Sequence, residues 1–236
     1  MSYFRKLLKR LLPDIIPDVG WWKLDEGGSN GLTADSTSNA NTGTLENLPT
    51  WTSGQGSNSP AAVLFNGTNQ YISTALTNIN YSSGTISWWM KPSSAYNSGS
   101  ISKVLWSQNY GHNPYFGIEL YTNGNFYGGW ISSGGTDTRV VVAANTTLYP
   151  NGSWVFYTLT WSPSATTLFV NGAQVGINNT AAANSNVGSN FLIGAGIDIS
   201  NGGNDGFFPG TMDDVRIYSR VLSGNEINTL YNNGAK

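Results

Sequence analysis

The sequence predicts an all-β chain: a single antiparallel β-sandwich of jelly-roll type, with an amphipathic helix ahead of it and a short helical turn behind. Apolar runs of four to nine residues recur between Asn-Gly, Ser-Gly and Gly-Gly turns, the punctuation of short strands. Within these runs the side chains change face at every residue, the strand period of two, and helical spacing appears only at the two ends. A 236-residue chain with 39% hydrophobic residues and no interrupting linker has material for one core, and all-β chains of this length commonly form one domain.

The N-terminal element spans residues 1–18. Phe4, Leu7, Leu8 and Leu11 form an apolar stripe, with Arg5, Lys6, Lys9 and Arg10 beside it, and Pro13 ends the pattern. Spanning a bilayer takes about 20 apolar residues. A secretory signal takes an unbroken apolar stretch and a small-residue cleavage site. Neither pattern is present, so no secretory signal peptide is predicted. The stripe suits docking onto another subunit, packing on its own sandwich, or lying on an anionic membrane surface. Attachment to other subunits of a larger assembly is the reading adopted, with membrane contact disfavoured.

Residues 19–236 form the sandwich domain. The strand signals run from Gly20-Trp21-Trp22 through Ala62–Asn66, Gly84–Lys91 and Phe116–Tyr121 to Ser153–Trp161. In the last of these, Val155, Tyr157, Leu159 and Trp161 share one face, the mark of a strongly apolar side. Asn123-Gly124 and Asn171-Gly172 are hairpin signals, because both residue types tolerate positive φ; the second lies between Leu168-Phe169-Val170 and Ala173-Gln174-Val175. Ser223 and Glu226 fit a capping box, and Ile227, Leu230 and Tyr231 follow at helical spacing.

Charge narrows the partners. The formal net charge is −2, and residues 20–236 alone hold seven Lys/Arg against eleven Asp/Glu, a difference of −4. Such a surface gives no reason to expect nucleic acid, whose binding rests on cationic neutralisation of phosphate. The absence of cysteine rules out disulfides and thiolate metal sites.

The segment Thr211–Tyr218 raises the sharpest question. Unbroken alternation places Asp213 with Val215 and Ile217 on the core face, and Asp214, Arg216 and Tyr218 on the other. A carboxylate on an apolar face must be paired, hydrogen-bonded or bound to a metal.

This segment, with Gly20–Gly27, Asp35–Leu45, Ala62–Gly67, Gly84–Lys91, Trp154–Trp161 and Leu168–Gly172 in that order, resembles the laminin-G-like branch of the concanavalin A-like lectin/glucanase superfamily. The resemblance implies a calcium ion joining the early D-x-S/T-x-N loop to the last strand. Asp35 and Asp213 would supply carboxylates, with Asn41 and the backbone of Asn39 or Gly43 completing an oxygen shell. Thr37-Ser38 departs from the family's usual Ser-Gly. The alternative is that Asp213 accepts backbone amides from the Asp35 loop.

Glucanases of the superfamily carry two glutamates around an aspartate on one strand, the spacing retaining hydrolysis needs. Glu26, Glu46, Glu119 and Glu226 have no such neighbours, so no catalytic residue is assigned and Glu119 reads as solvent-facing. The loop holding Tyr110, His112, Asn113 and Tyr115 suits a sugar, with aromatic faces for C–H surfaces and amides for hydroxyls. Tyr127, Trp130 and Asp137 form a second candidate group. The Asn-rich loop 197–206 reads as a long turn. These features predict a non-catalytic, lectin-like adhesion or decoration module carried by residues 1–18 on a virion or cell-surface assembly, either glycan-binding or purely a scaffold, with stabilisation by calcium as what the resemblance implies. The alternative is a glycoside hydrolase or its carbohydrate-binding accessory.

Overall fold

The computed structural model describes residues 15–28, 30–76, 79, 82–93, 101–108, 114–132, 134–143, 152–180, 191–197 and 203–235. The proposed N-terminal stripe of Phe4, Leu7, Leu8 and Leu11, with Arg5, Lys6, Lys9 and Arg10, lies outside these residues, as do Tyr110, His112 and Asn113.

Strands are numbered in chain order, and all pairings within the two large sheets are antiparallel. Sheet I runs β14 (Ala173–Asn178), β13 (Ala165–Val170), β12 (Val155–Ser162), β7 (Gly84–Pro92), β18 (Pro209–Tyr218), β5 (Ala62–Asn66), β4 (Thr50–Thr52), with β1 (Gly20–Trp22) alongside β18. Sheet II runs β11 (Val140–Val142), β10 (Phe126–Ile131), β9 (Tyr115–Leu120), β8 (Ser102–Gln108), β15 (Leu192–Ile193), β6 (Tyr71–Thr74), β3 (Gly43–Glu46), β2 (Leu32–Thr33). A two-stranded ribbon, β16 (Gly196–Ile197) with β17 (Asn204–Asp205), lies beside β8.

The alternation read from sequence is realised. Val155, Tyr157, Leu159 and Trp161 point into the core between the sheets, where they meet Phe116, Ile118, Phe126 and Trp130 of sheet II. Asn171 and Gly172, both at positive φ (50° and 82°), turn β13 into β14. A second apolar layer covers the outside of sheet I. There Trp89 and Phe156 pack under Leu222 and under Ile227 and Leu230 of the C-terminal helix α1 (Gly224–Asn233). Ser223 and Glu226 complete the capping box at its start, which is worth about 1 kcal/mol.

β18 corrects the expectation for Asp213. Its register against β7 shifts between Asp213 and Arg216, and Asp214 takes φ 53°, so the strand bulges there. Met212, Val215 and Ile217 reach the core, while Asp213 pairs with Trp89 and turns outward with it. Asp213 is nevertheless fully buried, because residues 54–61 fold over it: Gln55 N donates to Oδ2 at 2.8 Å, and Ser59 Oγ lies 2.8 Å from the same atom. The two ends of the domain do meet, but through the neighbouring acid. Trp21 Nε1 donates to Asp214 Oδ1 at 2.7 Å, and Arg216 grips both Asp214 oxygens at 2.9 and 2.6 Å while its guanidinium lies 5.0 Å from the Trp21 ring centre.

Candidate functional site

The outer face of sheet II carries a belt of aromatic and charged side chains. In β9, Phe116, Ile118 and Leu120 face the core, which turns Tyr115, Gly117 and Glu119 outward. In β10, Phe126 and Trp130 face inward and Tyr127 outward. The register sets Glu119 between Lys103 of β8 and Tyr127 of β10. Trp106 pairs with Gly117, and its ring covers that glycine so closely that a Cβ there would sit 2.3 Å from the indole. Glycine at 117 is therefore a requirement of the stacked Trp106, which lies 4.5 Å from the Tyr115 ring at 22°.

Arg139 organises the belt. Its Nη1 donates to Glu119 Oε2 at 2.5 Å and its Nη2 to Asp137 Oδ2 at 2.7 Å. The same guanidinium stands 5.1 Å from the Tyr127 ring centre and 5.8 Å from that of Tyr115, and Tyr121 packs on Tyr127 at 4.3 Å. At the other end Lys103 sits 4.6 Å over Trp106 and is anchored by Ile197 O at 3.0 Å and by the Asp205 carboxylate. Burial pushes the Glu119 carboxyl above its ordinary range, against the pull of Arg139 and Lys103. Burial alone would raise Asp137 too, but the hydrogen bonds from Arg139 win and hold it low. Burial and the Glu119 charge raise the Tyr115 phenol, which stays protonated at neutral pH.

Tyr115, Tyr121 and Tyr127 remain half-exposed above this scaffold. The result is a set of aromatic faces with fixed rotamers, next to the half-exposed Asp137 carboxylate. Such a surface stacks on C–H faces and accepts from hydroxyls with little ordering left to do. Glu119, expected in solvent, is instead buried beneath Arg139. Its outward parity was correct, but Arg139, 20 positions along the chain, closes over it.

Among the candidates read from sequence, Tyr115, Tyr127 and Asp137 come together on this face. Trp130 does not: it is a core residue, 4.8 Å from the Phe116 ring and 5.9 Å from that of Trp161. Its parity with Phe126 was the available signal. Arg139 was missed because no local pattern links it to Glu119.

Asp35 and Asp213 have separate partners. The Asp35 carboxylate accepts from the amides of Trp21, Thr37 and Asn41, each at 2.9 Å, and from Thr37 Oγ1. Asn41 O accepts from Trp22 Nε1, and the Asn39 and Asn41 side-chain amides donate to the backbone of residues 18 and 19. Gly43 lies in β3 with its Cβ position filled by Ile72 and Thr33. A carboxylate ringed by N–H and O–H donors does not suit a hard cation, which wants six to eight oxygens, so these residues as placed do not fit calcium. Nor does Asp213 accept from the Asp35 loop; Gln55 and Ser59 hold it. Adding calcium is expected to leave Tm unchanged relative to chelator. A rise of several degrees that Asp35→Ala abolishes would contradict this.

Comparison with known proteins matches the fold. The chain is similar to the binding domain of botulinum neurotoxin serotype D (TM-score 0.69, 16% identity, 92% of this chain and 52% of that one). It is similar in the same way to the binding domain of Paraclostridial Mosquitocidal Protein 1 (TM-score 0.70, 16% identity, 92% and 52%). It thus spans about half the length of those domains. Domain 4 of AbnA, a GH43 extracellular arabinanase from Geobacillus stearothermophilus solved with arabinotriose, is matched over 96% of its own length and 89% of this chain, at TM-score 0.61 and 18% identity. No curated protein sequence matches. The family profile described as the concanavalin A-like lectin/glucanases superfamily matches residues 66–228. The chain, with its two packed antiparallel sheets and matched core, therefore belongs to the concanavalin A-like lectin/glucanase superfamily, in its laminin-G-like branch.

Proposed function

We propose that this chain is a non-catalytic glycan-recognition module, and that the outer face of sheet II, with Tyr115, Tyr121, Tyr127 and Asp137 held by Arg139, is where the glycan lies. The observation that carries the reading is the ordering of these rings around a single buried guanidinium. Aromatic faces set rigidly beside a fixed acceptor are what a sugar ring requires, and a merely structural ion pair does not need half-exposed tyrosines above it. The presence of toxin binding domains and a domain solved with arabinotriose among similar folds supports a binding role.

Against hydrolysis stands the chemistry of Glu119. A general acid or nucleophile must reach the scissile bond with a second carboxyl group about 5 Å away in a retaining enzyme, whereas the Glu119 carboxylate is buried and bound by Arg139. In the same proposal residues 1–18 attach the module to a larger particle, a virion or cell-surface assembly. Their apolar stripe and four cations supply a docking face.

A glycan array probed with the full chain tests the first part, followed by mass spectrometry of each bound glycan after prolonged incubation. The expected result is retention of at least one glycan class, recovered intact. No retention, or cleavage of the bound glycan, would contradict it. Deleting residues 1–18 is expected to abolish assembly with other subunits and leave glycan retention unchanged.

A further inference from the structure

We infer that the opposite side of the sandwich holds a second ligand site, a groove of ≈ 470 Å³ between residues 55–58 and the end of α1 that takes a neutral oligosaccharide. It does not depend on the sheet II reading. The volume falls within the roughly 300–1,000 Å³ of small-molecule sites.

The groove is built rather than incidental. Its floor is Trp89, stacked under Tyr231 at 5.9 Å and 28°; Trp154 forms one side, its ring orientation fixed by Lys91 at 5.2 Å. The two walls are tied together, because Gln55 Oε1 accepts from Ala235 N at 3.0 Å. The loop wall is anchored again from below, by Gln55 N on Asp213. A ligand entering here therefore meets surfaces already ordered, which lowers the entropic cost of binding.

The chemistry of the lining selects the ligand. No residue that lines the groove carries a charge, so neither a phosphate nor a cation is favoured. The exposed carboxamides of Asn58, Asn232 and Asn233 make no side-chain hydrogen bond among the described residues. Each offers two donors and an acceptor. Half-exposed Trp154 and Tyr231 supply aromatic surface between these amides. Rings and unpaired amides together match a molecule with C–H faces and many hydroxyls, an uncharged sugar chain.

Isothermal titration of the full chain with neutral trisaccharides of glucose, mannose, galactose and arabinose tests the site. At least one is expected to bind, with affinity falling tenfold or more in the exposed double variant Asn58→Ala/Asn232→Ala and in Trp154→Ala, and holding in Tyr127→Ala. The double variant alters no side-chain hydrogen bond among the described residues, so it keeps the test open should Trp154→Ala fail to fold. Absence of binding by every trisaccharide, or binding unchanged in the double variant, would overturn the groove. Loss confined to Tyr127→Ala would also overturn it, and would leave the sheet II face standing.

Discussion

Replacing Arg139 by methionine is expected to destabilise the fold by about 3–5 kcal/mol, the usual consequence of leaving one buried charge without its partner. The partner is Glu119, 6% exposed and bound at 2.5 Å. Asp137, 45% exposed, can turn to water and contributes little. At roughly 2–4 °C per kcal/mol for a chain of this size, Tm should fall by about 10 °C. Arg139→Met/Glu119→Met, which removes both charges and fills the space, should recover most of that loss, because an apolar pair avoids the desolvation of two ions. It should not recover glycan binding, since Tyr115 and Tyr127 lose the guanidinium they flank. A double variant as unstable as Arg139→Met would contradict the assignment of the pair as a buried, mutually compensating one.

The second large effect is a dependence of stability on pH centred on Asp213. Burial, with added repulsion from Asp214 and Asp25, pushes its carboxyl up to about 7, although Gln55 N and Ser59 favour the ionised form. The hydrogen-bond geometry agrees. Ser59 Oγ lies 3.0 Å from Ala61 O as well as 2.8 Å from Asp213, and one hydroxyl hydrogen cannot serve both. A protonated Asp213 donating to Ser59, which then donates to Ala61, satisfies the whole set.

In the unfolded chain the same group titrates near 3.9. Between about pH 4 and pH 7 the folded state holds a proton that the unfolded state has released, so stability falls as pH rises through this window. The loss is complete above about 7, where it reaches roughly 4 kcal/mol at 1.36 kcal/mol per pH unit. Below about 4 both states are protonated and the group contributes no slope. Asp213→Asn should remove this component. Denaturation of both forms at pH 5 and pH 8 checks it: the wild type should lose about 3 kcal/mol more than the variant, the two pH units below about 7 at 1.36 kcal/mol each, and equal losses would contradict the account.

Much of the architecture was legible in the chain. The one-sided strand Val155–Trp161, the Asn171-Gly172 hairpin and the Ser223–Glu226 cap each follow from local rules of period, turn and capping, and each is present as read. What escaped depends on contacts between distant segments. Period-two counting failed at Asp213 because a bulge at Asp214 adds a residue to one strand and reverses the faces beyond it; no composition rule marks that bulge. Arg139 meets Glu119 only because the chain turns back along the far side of β10, where Arg139 stands beside Gly129, and its side chain crosses β10 to reach β9. The Tyr127–Trp130 grouping, in contrast, could have been refused from sequence. Three positions apart on a strand, the two side chains lie on opposite faces, and only Tyr127 reaches the belt.

The claim that the sheet II face is the recognition surface is tested most directly by titrating a glycan retained both by the wild type and by Asn58→Ala/Asn232→Ala against Tyr115→Ala/Tyr127→Ala, with folding of the variant checked by circular dichroism. Aromatic stacking of this kind is worth about 0.5–1.5 kcal/mol per pair beyond area burial, so loss of two such contacts should weaken binding roughly five- to 150-fold with Tm little changed. Undiminished affinity in a folded variant would place recognition elsewhere on the molecule and contradict the account.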